Sequence, residues 1–369
     1  MKITFPHMGS LFLPMMSLFK SLGFEVIPPP PITQKTIELG SKYSPEFACF
    51  PLKINVGNFI EAFEQGADTI AMLGGVGPCR FGYYAVVEKQ ILESLNYNFD
   101  IIVVDPPAAG NFNKTIKDLG KLRNNNDWKT IIHALRTTFH KIKILDDLNK
   151  LLNYVRPRTN MHKDVDYLEN QFKEKIVDFQ NVSALNEGYQ TTRTELLKLV
   201  NKDNNPVKVA LVGEIFMIIE NTANMEIEKV LGQYGVEVER GIYLSDWIRD
   251  NIILGPFGLN RSNSVIKEAR PYIKRFVGGH GQESIGEAVL KAKEGCSGIV
   301  HLFPFTCTPE IIAQGIMNKV SHDYDIPVLT VILDEHKGFA GLNTRLEAFC
   351  DLLINQNNTN QKSKVEQPL

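Results

Sequence analysis

The chain has 369 residues, with 40 Lys and Arg against 42 Asp and Glu and a net charge of −2. That length suits two α/β domains with sizeable cores, and the near balance of charge excludes a global basic field for nucleic acid. No apolar stretch is long enough to span a bilayer, and Met1-Lys-Ile-Thr-Phe-Pro6 lacks a signal peptide's apolar run and cleavage site, so the cytoplasm is the expected compartment.

Residues 1–7 read as a first strand, His7-Met-Gly9 as a turn and Ser10 as a helix N-cap. Leu11 to Leu22 reads as a helix that tolerates Pro14 in its first turn. Gly23 ends it, Phe24 to Ile27 forms the next strand, and four prolines at 28–31 stiffen the exit. A short helix over Ile32 to Leu39 and a second over about 52–65 follow, with Cys49 just ahead of the second. The buried strand Ile70 to Leu73 then leads through a glycine-rich turn to Cys79. Arg80 to Asn96 is a predicted helix with Phe81, Tyr84, Val87 and Ile91 as its core stripe. The strand from Asp100 to Pro107 closes the first sheet.

Residues 111–205 are rich in Asn, Lys, Asp and Leu, and Leu145, Leu148, Leu152 and Val155 recur at helical spacing. This is a helical segment whose expected role is packing and spacing. At Val207 the α/β pattern restarts and echoes the N-terminus: strand, glycine turn, helix, Gly235, strand Val236 to Glu239. Cys79 and Cys307 lie 228 residues apart, and the glycines opening the two corresponding strands, Gly66 and Gly295, lie 229 apart. The expected fold is therefore α/β, with two Rossmann-like doubly wound lobes joined by a helical segment. The expected boundaries are 1–110, 111–206 and 207–352, with a polar, disordered tail at 353–369.

Five cysteines, at 49, 79, 296, 307 and 350, argue against a disulfide framework in a large cytosolic chain. Cys296 and Cys350 read as buried small hydrophobes. Cys79 and Cys307 follow predicted strands, the place where ligands sit in open α/β sheets. Cys49 precedes a helix, whose dipole favours a thiolate. Facing lobes would bring the three together. Three thiolates on separate loops suit a soft metal centre. A four-iron cluster on three cysteines would keep one iron open, and Phe47, Phe50, Phe81, Phe303 and Phe305 would shield it. A zinc site of three cysteines with His301 or His280 is a competing reading, and two packed lobes with inert thiols are a third.

Four motifs bear on that choice: Glu46-Phe-Ala-Cys-Phe-Pro-Leu-Lys53, Gly77-Pro-Cys-Arg-Phe-Gly82, Pro304-Phe-Thr-Cys-Thr-Pro-Glu310, and Asp334-Glu-His336 with Thr344-Arg-Leu-Glu-Ala-Phe349. In this order they resemble the 2-hydroxyacyl-CoA dehydratase/benzoyl-CoA reductase superfamily. More narrowly they resemble its branch related to acyl-CoA dehydratase activases. The resemblance covers about 1–110 and 207–352. It implies a [4Fe–4S] cluster on Cys49, Cys79 and Cys307, and electrons from an ATP-hydrolysing activator carrying its own cluster. It leaves open a homodimer or a related second subunit. No Walker-type loop occurs in this chain, so the ATPase would be a separate protein. The implied function is reduction or dehydration of a small substrate, with no catalytic residue assigned. A non-catalytic relay of electrons is the alternative, as is a zinc-bearing or metal-free binding protein.

Further residues carry weaker signals. Gly278-Gly-His-Gly-Gln-Glu-Ser284 precedes a predicted helix at 284–293 and reads as a tight turn or an anion cradle. His280 reads as a solvated loop residue or a general acid, and Glu283 as a helix cap or a hydrogen-bonding group near the cluster. Asp334-Glu-His336, Arg345 and Glu347 read as structural ion pairing or as groups that orient the cysteine loops. Arg80 reads as a partner for a thiolate or as a surface salt bridge.

Overall fold

The computed structural model describes residues 1–75, 79–105, 117, 120–254, 262–336 and 338–365. The first lobe runs β1 (Lys2–Thr4), α1 (Phe12–Ser21), β2 (Glu25–Val26), α2 (Gln34–Tyr43), α3 (Phe50–Glu64), β3 (Thr69–Leu73), α4 (Tyr84–Ser94) and β4 (Asp100–Val104). Its four parallel strands lie in the order β2-β1-β3-β4. A short 3-10 turn at Gly9–Leu11 leads into α1, so Ser10 does not act as its cap. Pro106, Pro107 and the boundary at 110 lie outside the described residues.

Thr33 and Thr36 form a reciprocal capping box at the start of helix α2, and the helix runs past the expected stop at Leu39, through Gly40, to Tyr43. A Cβ at Gly40 would overlap the carbonyl oxygen of Lys53, and one at Gly57 would overlap that of Thr36. The two glycines let the backbones of α2 and α3 touch, which holds α3 and the cysteine at its head.

The connecting segment is helical, as its leucine spacing predicts. It consists of α5 (Trp128–Val155), α6 (His162–Ile176) and α7 (Val182–Lys198). Leu145, Leu148, Leu152 and Val155 are buried in their shared core, with Leu13 of α1.

The second lobe repeats the first lobe's strand order. It contains β5 (Val207–Gly213), α8 (Ile215–Ile219), α9 (Ile227–Gln233), β6 (Val236–Arg240), α10 (Leu244–Ile248), α11 (Ser262–Ala269), α12 (Gly281–Lys293), β7 (Gly298–Pro304), α13 (Thr308–Tyr324), β8 (Val328–Leu333) and α14 (Phe339–Val365). The parallel order is β6-β5-β7-β8. β7 is buried along its whole length, as a central parallel strand with both faces covered must be. The expected tail begins inside α14. Leu353 of that helix is fully buried among Leu342, Leu346, Phe349 and Cys350 against β5, so apolar burial extends the helix beyond 352.

The lobes share a core. Ile32, Phe50 and Ile54 of the first lobe sit in the same apolar cluster as Val209, Leu211 and Val300 of the second. Buried Lys53 adds an ion pair across the lobes to Glu335. No described helix is long and apolar enough to cross a membrane.

Candidate functional site

In each sheet the central pair, β1–β3 or β5–β7, is the point where successive strands add on opposite sides. The crevice beyond the carboxyl ends of such a pair is the usual ligand position in doubly wound folds. Cys79 follows β3, Cys307 follows β7, and Glu214 follows β5 directly. Cys49 reaches the same place from the α2–α3 turn.

All three cysteines are N-cap residues. Cys49 caps α3, Cys79 caps the 3-10 turn Arg80–Tyr83 ahead of α4, and Cys307 caps α13, each with extended backbone angles. Proline follows within the first two positions of α3 and α13, where its missing N–H costs nothing. A helix N-terminus attracts negative charge, so three of them suit thiolates or an anionic group. Burial opposes this and raises the pKa of all three thiols. The backbone N–H groups of Leu52, Phe81 and Glu310 act in the other direction on Cys49, Cys79 and Cys307 respectively. The Tyr84 hydroxyl lies 2.5 Å from Cys49 Sγ and also favours its thiolate. Among the described residues, no group of three or more His, Cys, Asp or Glu side chains is arranged to hold a metal ion.

Arg80 fastens the loops together. Its Nη1 donates to the Phe47 carbonyl at 2.7 Å, and its Nη2 donates to the carbonyl and hydroxyl oxygens of Thr306. The Thr306 hydroxyl in turn donates to Phe47 O at 3.2 Å. One guanidinium thus ties the loops that carry Cys49 and Cys307, from the residue after Cys79. Its charge lowers the pKa of Cys49 and Cys79, the thiolate-favouring effect expected of it, and among the described residues it forms no salt bridge. Thr306 has φ +67°, strained for a β-branched residue, and its position beside Cys307 is fixed by these contacts.

The 278–284 stretch is accounted for by packing. Gly279 has φ +48°, and a Cβ there would stand 3.1 Å from Pro309 Cγ and 3.9 Å from Cys79 Sγ. The glycines therefore bring the second lobe's backbone onto Cys79 and the turn after Cys307. His280 caps α12 and acts electrostatically on Glu214. His301 lies fully buried in β7, with Nε2 2.8 Å from Glu310 Oε2, and Ser284 donates to the other carboxylate oxygen at 3.0 Å. Glu335 of the 334–336 turn pairs with Lys53, and Arg345 donates to the Thr330 carbonyl at 2.6 Å. Both residues therefore have structural partners.

The aromatic shield is divided. Phe50 and Phe303 are buried, whereas Phe47 is 72 % exposed and Phe305 57 % exposed. Each exposed ring sits two residues before a cysteine and faces outward from the rim. Phe81 is exposed as well, leaving Tyr84, Val87 and Ile91 as the packed part of its stripe. Cys296 and Cys350 lie in the second lobe's two cores, where burial pushes each thiol up to about 12.

Glu214 was not singled out from the sequence. Its carboxylate accepts from the N–H groups of Phe216 and Met217 at 3.1 and 3.0 Å, and burial raises its pKa. It acts electrostatically on Cys49, Cys79, Cys307 and Tyr84. Its position directly after an apolar strand was the available signal.

Fold and site together describe a two-lobed α/β protein with three helix-capping cysteines gathered where the lobes meet. Residues 7–72, from the turn after β1 through Cys49 and into β3, match the family model described as a CoA enzyme activase uncharacterised domain. Comparison with curated proteins gives no match for the chain.

Proposed function

We propose that the chain is an iron–sulfur protein that holds a [4Fe–4S] cluster on Cys49, Cys79 and Cys307. It would accept low-potential electrons from a separate ATP-hydrolysing activator. The observation that carries this reading is the convergence of three helix-capping thiols, from both lobes, around the Arg80 contacts. The donor set fits the group in its chemistry: thiolates are the ligands of iron–sulfur clusters. A bound cation would also offset the burial that keeps these thiols protonated. The match of residues 7–72 to an activase-related domain supports the same class.

When bound, such a cluster supplies one-electron chemistry at an iron without a protein ligand. The chain's own residues do the rest. Arg80 fixes the spacing of the cysteine loops, Tyr84 orients the Cys49 sulfur, and Glu214 places a carboxyl group beside the thiols. Reduction or dehydration of a small substrate is the proposed reaction class. Relay of electrons to a partner is the second reading, favoured by the outward-facing Phe47 and Phe305 rings, which suit a protein face.

Iron, sulfide and zinc content with a visible spectrum, on protein purified without oxygen, tests the cluster. About four irons per chain are expected, lost in Cys49→Ala, Cys79→Ala and Cys307→Ala and kept in Cys296→Ala and Cys350→Ala. No iron after anaerobic reconstitution would overturn it.

A further inference from the structure

A cleft of about 500 Å³ is lined by His7 and its neighbours and by none of the cysteines. That volume is within the range of small-molecule sites. All three parts of the chain build it. α5 contributes Asn149 and Asn153, the 3-10 turn that follows it contributes Arg156, and α6 contributes Asp166, Glu169, Asn170 and Lys173 at helical spacing. The first lobe adds Ser10 and Phe12, and the second adds Asn221 and Thr222.

The cations in these walls are already engaged. Arg156 pairs with Asp166 at 2.9 Å and with Glu169, and Lys173 pairs with Glu169 at 2.5 Å. Lys229 pairs with Asp166 at 2.8 Å. Glu228 is held by Arg240 and Asn153, and Glu220 by His7. Six carboxylates line the cleft against three Lys and Arg, so it offers no free cation to a phosphate or carboxylate and repels both.

Four of the neutral polar groups, in contrast, are free. The side chains of Ser10, Asn149, Asn170 and Asn221 make no hydrogen bond within the described protein, and Asn221 Oδ1 is buried without a partner. Each amide presents a donor and an acceptor side by side, the pattern a hydroxyl group matches. Ser10, Asn149 and Asn221 also line an adjoining cavity of about 20 Å³, room for one water. The Phe12 ring stacks on His7 at 4.6 Å and, with Leu13 and Leu152, supplies an apolar wall.

We infer that this cleft binds an uncharged, multiply hydroxylated small molecule of sugar or polyol type, through the amides of Asn149, Asn170 and Asn221 and the hydroxyl of Ser10. The inference stands apart from the thiol site and does not need a cluster.

Calorimetry and saturation-transfer NMR on the full chain test it, with D-glucose, myo-inositol and sucrose as neutral probes and glucose 6-phosphate as the charged counterpart. At least one neutral probe is expected to bind with a Kd of about 10 mM or tighter. Glucose 6-phosphate should bind at least about tenfold more weakly than glucose, and Asn149→Ala with Asn170→Ala should weaken the neutral probe by about tenfold or more. If that double variant fails to fold by circular dichroism, Asn221→Ala and Ser10→Ala carry the same expectation separately. Absence of binding by all three neutral probes, binding unchanged in the folded variants, or tighter binding of the phosphate would each overturn the inference.

Discussion

Arg80 of the first lobe donates to both the carbonyl and the hydroxyl oxygen of Thr306 in the second. Its other nitrogen holds the Phe47 carbonyl, so the cysteine loops depend on one planar side chain. Lysine has a single head group and cannot reproduce that fork. Arg80→Lys and Arg80→Ala should both lower stability by about 1.5–3 kcal/mol, the range for hydrogen bonds to a charged group. Urea unfolding followed by circular dichroism measures this. A change within experimental error would mean that Arg80 does not tie the loops in solution.

Gly57 gives a test whose sign runs against helix propensity. In an exposed helix, Gly→Ala stabilises by about 1 kcal/mol. Here the new methyl would overlap the Thr36 carbonyl oxygen and push α2 from α3. Gly57→Ala should therefore destabilise by about 2 kcal/mol or more. A raised melting temperature would show that the α2–α3 contact is looser than described.

Glu88 makes stability depend on pH. It is fully buried on α4, accepts from Asn55 Nδ2 at 3.1 Å, and burial pushes its pKa up from 4.5 to about 8. Between those values the folded chain holds a proton that the unfolded chain has released, so stability falls as pH rises. Glu88's contribution is fully present below pH 4.5 and is lost, by on the order of a few kcal/mol, as pH approaches 8. Glu88→Gln should flatten this part of the profile and exceed the native chain in stability above pH 8. Denaturation midpoints at several pH values decide the point, and parallel profiles for the two proteins would refute it.

Glu214 should restrain the thiols. Its charge raises the pKa of Cys49, Cys79 and Cys307, so its removal leaves more thiolate at a given pH. Metal-free Glu214→Gln should be alkylated by iodoacetamide about twofold or more faster at these three cysteines at pH 8, the reaction following the thiolate fraction. Peptide mass spectrometry resolves each site. Equal or slower labelling would place Glu214 outside the thiols' electrostatic reach.

Much of the architecture was legible because parallel strands buried on both faces appear as apolar runs. The pattern expected to restart at Val207 does so, with a strand from Val207 to Gly213, and the 228-residue offset between cysteines anticipated two sheets of equal strand order. Ends governed by packing were less legible. α2 outruns Leu39 because Gly40 meets another backbone, and α14 passes 352 because Leu353 is buried in the second lobe. The pattern around Cys49 marked a helix start, and the structure makes Cys49 its N-cap.

Local chemistry in the sequence determined which cysteines stand at element ends and which two are inert core residues. Strand and helix signals span only a few residues, so neighbours in sequence suffice for that. The tertiary structure alone decided what surrounds the three cysteines. Arg80 lies 226 residues from Thr306, Glu214 lies on another lobe from Cys49, and Phe47 and Phe305 face outward although their sequence context is apolar. Hydrogen bonding, electrostatics and burial act through space, and they became legible once the lobes were packed.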